Sequence, residues 1–152
     1  MTSLLAAHRP TEWNFPLFMH VLGAMILVGG LLAGASIMAY ARGDARSLRL
    51  GYWTLLAVAL PGYVVMRIGA EWLYSKEGWD DLPNTPTWLD LGYAIADIGA
   101  LLVLIALIVG GIGIRRQRSG GGTGLLKVAM VIAWVVLAAA CVAVWAMAGK
   151  PN

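Results

Sequence analysis

The chain has 152 residues, 60% of them hydrophobic and 12% charged, with a formal net charge of +3. A soluble domain carries about a quarter charged residues, and so few charges cannot cover this much apolar surface in water. The composition therefore excludes a water-soluble globular fold and an unstructured chain. With Cys141 as the sole cysteine it also excludes a disulfide scaffold.

The apolar residues fall into four runs, at 15–40, 51–74, 88–114 and 125–148. Each exceeds the roughly 20 residues that carry a helix across about 30 Å of hydrocarbon. None has the period-two alternation of a barrel strand. The expected fold is all-α, an integral membrane four-helix bundle forming one domain over residues 1–152.

The N-terminal arm holds His8, Arg9 and Glu12 and has no basic n-region. It reads as a solvated lead-in to a retained helix, not as a cleavable signal peptide. In the first run, His20 shares a helical stripe with Gly23, Ala24, Leu27, Gly30 and Gly34. The Gly30-x-x-x-Gly34 spacing is a close-packing signature. A stripe of small residues turns His20 toward a neighbouring helix or a cofactor. The Gly23/Gly30/Gly34 face equally suits an intramolecular neighbour, a homo-oligomer or a membrane-protein partner.

The first connection, residues 41–50, carries Arg42, Arg46 and Arg49. In the second run, Pro61-Gly62 predicts a mid-helix kink, either a packing bend or one that opens a pocket above Tyr63. Tyr63, Arg67, Glu71 and Tyr74 are spaced by four, four and three and form one polar, aromatic stripe. The next connection sets Lys76 against Glu77, Asp80 and Asp81. Its Gly78-Trp79-Asp80-Asp81-Leu82-Pro83 stretch lacks the spacing of a calcium loop and reads as a solvated turn.

In the third run, Asp97 shares a stripe with Asp90, Tyr93, Ala94 and Ala100. Arg115, Arg116, Arg118 and Lys127 follow, so that the first and third connections hold seven of the 11 basic residues. Arg115-Arg116-Gln117-Arg118 is a topology signal and a contact for anionic lipid, with no nucleic-acid role. The glycine-rich stretch after it lacks the ending of a phosphate-cradling loop and reads as a linker. In the fourth run Cys141 is a small packing residue.

Basic loops stay in the cytoplasm, which predicts an N-out/C-out bundle. Trp13, Trp72, Trp79, Trp88 and Trp145 fall at the outer interface, and Tyr40, Tyr52 and Trp53 at the inner one. Their placement suits interfacial anchoring. A second reading makes some of these rings the lining of a site for an apolar ligand.

Ionisable groups inside a span are costly and mark functional sites. They are His20, Arg67, Glu71 and Asp97. At about 1.5 Å per residue, His20, Arg67 and Asp97 sit roughly 8 to 14 Å below the outer interface, in one layer. An Arg67–Asp97 ion pair with Glu71 at its outer edge is expected, and Tyr63 and Tyr93 complete the network.

Helix 1 reads Leu17-Phe18-Met19-His20-Val21-Leu22-Gly23-Ala24 and continues through Val28-Gly29-Gly30-Leu31-Leu32. This pattern resembles the first helix of HemJ-type protoporphyrinogen oxidases, of the CopD copper-resistance domain and of a family of uncharacterised bacterial integral membrane proteins. The last resembles it in length and four-helix plan as well. The resemblance implies a multi-pass protein of the bacterial cytoplasmic membrane, with haem b bound through His20. Helix 3 departs from the HemJ pattern by offering Asp97 where a second histidine or a lysine would stand.

On the chemistry alone, His20 is the one histidine in a span, and haem iron needs one strong axial ligand. Met66, Met130 and Met147 are spare thioethers, and Arg67 could pair with a propionate. The competing reading of a lone intramembrane histidine is a hydrogen-bonding packing residue. Copper would need several His, Met or Cys ligands together, and His20 with Met19 supplies few.

Three functional classes follow. The first is a haem-binding or redox protein. The second is a transporter or ion-conducting protein using Arg67, Glu71 and Asp97. The third is a non-catalytic accessory subunit of a membrane complex.

Overall fold

The computed structural model describes residues 10–81 and 83–150, with Asp80 as backbone only. His8, Arg9 and Leu82 lie outside the described residues. Four long helices follow one another, α1 (Asn14–Tyr40), α2 (Ala45–Glu77), α3 (Thr87–Arg118) and α4 (Gly124–Gly149). All four are long and apolar enough to cross a membrane, and no strand occurs among the described residues.

Hydropathy places the helices, but local capping sets their ends. α1 starts after a 3-10 turn at Thr11–Trp13 and tolerates Pro16 in its first turn, where a missing N–H costs nothing. It stops at a tight turn in which Arg42 and Gly43 take left-handed φ of 45° and 92°. Asp44 then caps α2, accepting from the Ser47 N–H at 2.8 Å and the Ser47 hydroxyl at 2.6 Å. The first connection is therefore far shorter than residues 41–50, and Arg46 and Arg49 lie on helix. α3 likewise runs on to Arg118, its last-turn arginines facing the negative end of the helix dipole. At the opposite end Gly78, with φ 72°, closes α2 as a left-handed C-cap.

The expected break at Pro61 takes the form of a π-turn at Leu55–Ala59, where the Leu60 N–H reaches back to the Leu55 carbonyl. Proline has no N–H to offer its own preceding turn, and one residue of slack relieves its ring. The cavity beside this turn is about 10 Å³ and wholly apolar, bounded by Leu31, Leu55, Ala59, Val103, Ala106, Leu107, Ala133 and Val136. It lies at the bundle centre and not above Tyr63.

The bundle closes in the order α1–α2–α3–α4, with α1 against α2 and α3 against α4 as the tightest pairs and α4 returning to α1. Glycine makes the α1–α2 seam. A Cβ at Gly23 would fall 2.2 Å from the Met66 nitrogen, one at Gly30 2.7 Å from that of Ala59, and one at Gly69 2.4 Å from that of His20. Gly34 abuts the Leu55 side chain and the Gly51 carbonyl.

The larger buried side chains gather toward the basic end of the bundle, where the first and third connections lie. They include Leu27, Leu31 and Met38 of α1, Leu48, Tyr52 and Leu55 of α2, Val103 and Leu107 of α3, and Leu126 and Val136 of α4. Tyr52, expected as an interfacial anchor, is 8% exposed. Gly110 and Gly111 leave room for its ring, and its hydroxyl donates to the Leu107 carbonyl at 3.2 Å. This contact joins α2 to α3 at the basic end. Toward the end that carries the termini, the two helices part.

Candidate functional site

The parting of α2 and α3 leaves a seam toward the termini end, and side chains bridge it instead of backbone contact. Arg67 reaches across from α2, and one of its terminal nitrogens lies 3.0 Å from Asp97 on α3 and 3.0 Å from Glu71 one turn along α2. The pair expected from spacing and depth forms, with Glu71 on its termini side. The guanidinium stacks over the Tyr93 ring at 4.7 Å, and the Tyr93 hydroxyl donates to the Ala70 carbonyl at 3.4 Å. Tyr74 meets Tyr93 edge-on at 5.4 Å, and Tyr63 is packed, half-buried, against the core on the same stripe. The helical spacing of four, four and three is what aims this stripe at α3.

The three charges are unequally covered. Side-chain exposure is 27% for Arg67, 53% for Glu71 and 62% for Asp97. The cation is committed to two carboxylates and an aromatic face, while both carboxylates still present oxygen surface to whatever lies beside the bundle. The cluster has a formal charge of −1 and opens sideways.

Its depth follows from the neighbouring charges. Residues 50–66 between Arg49 and Arg67, and residues 98–114 between Asp97 and Arg115, are each 17 residues without Asp, Glu, His, Lys or Arg. At 1.5 Å per residue each spans about 26 Å, close to the hydrocarbon thickness of about 30 Å. Measured from the basic end, the triad lies at the far edge of the charge-free band.

His20 does not join the triad. Its Nδ1 lies 3.2 Å from the Met66 carbonyl, which makes Nδ1–H the donor and leaves Nε2 without a hydrogen-bond partner among the described residues. Met66 and Arg67 are consecutive and point about 100° apart on a helix. Met66 faces α1 with Gly62 and Gly69, whereas Arg67 faces α3. His20 and the triad thus share a level and occupy different seams.

Among the described residues no group of three or more His, Cys, Asp or Glu side chains is placed to hold a metal ion. Of the spare thioethers, Met130 packs on the core and Met147 packs against Gly92. The termini-end surface is aromatic as expected, with Phe15 on Trp72 at 5.7 Å and Trp79 on Trp88 at 5.9 Å. Lys150 lies 5.0 Å over the Trp88 ring, and Lys76 pairs with Glu12 at 3.4 Å.

The sequence reading missed the Tyr52–Leu107 closure and the meeting of Arg46, Arg49 and Trp53 with Arg118. The paired glycines 110 and 111 were the signal for the first. No family model, curated protein or solved structure matches the chain, so the resemblance of α1 to HemJ-type and CopD-like proteins rests on the helix 1 residues alone.

Proposed function

We propose that this chain is a multi-pass membrane protein with its basic end in the cytoplasm and both termini outside, and that it works as a binding or accessory protein. Its site is the α2–α3 seam, which takes a cationic group presented from within the membrane at its outer boundary. The observation that carries this is the pair of half-exposed carboxylates sharing one already committed guanidinium. Charged groups beside hydrocarbon are costly unless paired or covered, and a further cation placed against Asp97 and Glu71 brings the site to neutrality. The tyrosine rings around it favour an ammonium or guanidinium group through their negative faces.

A conduit is supported less well. The basic half of the bundle holds an apolar core and a cavity of about 10 Å³, and Tyr52, the hydroxyl deepest in it, is bonded to a backbone carbonyl. Proton or ion relays use chains of ionisable groups, and the 17-residue bands of α2 and α3 contain no Asp, Glu, His, Lys or Arg.

The test uses purified protein in neutral detergent, titrated with dodecylamine or, as the uncharged control, dodecanol. Ligand that binds the folded state raises the unfolding midpoint. Dodecylamine should raise it and dodecanol should not, and an Asp97→Asn/Glu71→Gln variant should lose the response. Equal response to both compounds, or an unchanged response in the variant, would overturn the reading.

Haem b bound through His20 is a second reading, and one observation favours it. An Nδ1–H bonded to a backbone carbonyl fixes the ring and its tautomer, so that Nε2 is the atom an axial bond would use. Haem would bring redox chemistry to that position. The expected propionate partner, Arg67, would first have to give up Glu71 and Asp97. A Soret band that disappears in His20→Ala would establish this reading, and a colourless preparation from haem-replete cells would end it.

A further inference from the structure

A second site stands at the opposite end of the bundle and is independent of the seam. Arg46, Arg49, Leu50 and Trp53 lie on one face of α2, spaced so that each follows the last within a turn. Arg118 comes in from the end of α3. Together they line an open pocket of about 360 Å³, within the size range of small-molecule sites. Three arginines from two separate helices line it. None of them is within salt-bridge distance of a carboxylate among the described residues. The nearby Asp44 carboxylate is engaged by the Ser47 N–H and hydroxyl, and Arg49 is steadied by its Nε–H bond to the Ala45 carbonyl at 3.2 Å.

We propose that this pocket binds the phosphate-bearing headgroup of an anionic phospholipid, with preference for more than one negative charge. Guanidinium groups bind phosphate oxygens in bidentate fashion, and three cations in one pocket, with the Asp44 carboxylate beside Arg46 alone to offset them, favour the entry of an anion. The pocket also has the polarity gradient of an amphiphile. Arg46 and Arg49 form its charged end. Leu50, 58% exposed, and Trp53, 52% exposed, continue the same face into the apolar band, where acyl chains would lie. Basic pockets between membrane helices are a recognised setting for such headgroups. A free phosphate ion shares the headgroup chemistry but makes no use of Leu50 and Trp53.

The full chain in neutral detergent is titrated with cardiolipin, phosphatidylcholine or inorganic phosphate, following the unfolding midpoint and the mass of lipid retained. Cardiolipin should bind as one retained molecule, and phosphatidylcholine and phosphate should protect far less. Arg46→Gln/Arg118→Gln should weaken cardiolipin binding about 30-fold, at about 1 kcal/mol for each basic residue at the membrane surface. Arg42→Gln/Arg115→Gln, the same charge change outside the pocket, should stay within about twofold of the unaltered protein. All four side chains are exposed, so these substitutions leave the core intact. Equal losses in the two variants would show a diffuse basic surface and overturn the proposal. Protection by inorganic phosphate equal to that by cardiolipin would assign the pocket to a free anion and overturn the lipid.

Discussion

Removing one member of the Arg67–Asp97–Glu71 triad tests whether α2 and α3 are joined by charge across their open seam. Exposed ion pairs contribute about 0.2–1 kcal/mol, and polar contacts between membrane helices average about 0.6 with a ceiling near 1.7 kcal/mol. Arg67 at 27% exposure favours the upper part of that range, and Asp97 at 62% draws it down. A double-mutant cycle between Arg67→Ala and Asp97→Ala should therefore give a coupling of about 1 kcal/mol, roughly fivefold in the unfolding equilibrium. The single changes should differ. Asp97→Ala leaves Arg67 its bond to Glu71, whereas Arg67→Ala strands two carboxylates and should cost about 2 kcal/mol, below the range for fully buried pairs. The assay is reversible unfolding in mixed micelles at increasing dodecyl sulfate fraction. A coupling below about 0.3 kcal/mol, or an Arg67→Ala cost no greater than that of Asp97→Ala, would refute the reasoning.

Other substitutions probe the packing. Gly23→Ala should lower stability by about 2 kcal/mol, because its Cβ would meet the Met66 backbone, whereas Gly29→Ala should cost nothing, since nothing lies within 4 Å of the added methyl. The comparison is read from unfolding midpoints, and equal values would contradict the close α1–α2 seam. Tyr52→Phe should cost about 1 kcal/mol by removing the hydroxyl's bond to the Leu107 carbonyl, and a neutral result in the same titration would remove the hydroxyl from the account. The Ser47 hydroxyl and N–H hold the Asp44 carboxyl below its ordinary 3.8. Its contribution to stability is therefore complete above that pH and lost as pH falls through the lowered value. The gap in stability between the unaltered protein and Asp44→Ala should close below pH 3.8, and a gap that widens there would reverse the assignment.

The four spans were legible because crossing hydrocarbon imposes a length and a polarity on each segment. The triad was legible for a related reason: three ionisable residues in apolar helices at similar depth have few partners besides one another. The ends of α2 and α3 were not legible from hydropathy, which reports the lipid-facing portion, whereas the Asp44–Ser47 cap and the arginines at the end of α3 extend the helices beyond it. The seam occupied by His20 depended on Gly62 and Gly69 turning Met66 toward α1, a choice of neighbour that periodicity on one helix does not encode. The arginine pocket required knowing that the first turns of α2 stand beside the last turn of α3. Tyr52 looked like an anchor because an aromatic near a basic loop usually is one, and only the paired glycines on α3 let it bury.

The central claim is that the polar seam is a one-sided binding site and not part of a path through the bundle. Proton flux into proteoliposomes under an imposed pH gradient tests it most directly. Vesicles holding the unaltered protein should leak no faster than those holding Asp97→Asn. A flux in the unaltered protein that Asp97→Asn abolishes would contradict the account and make Asp97 part of a conduit.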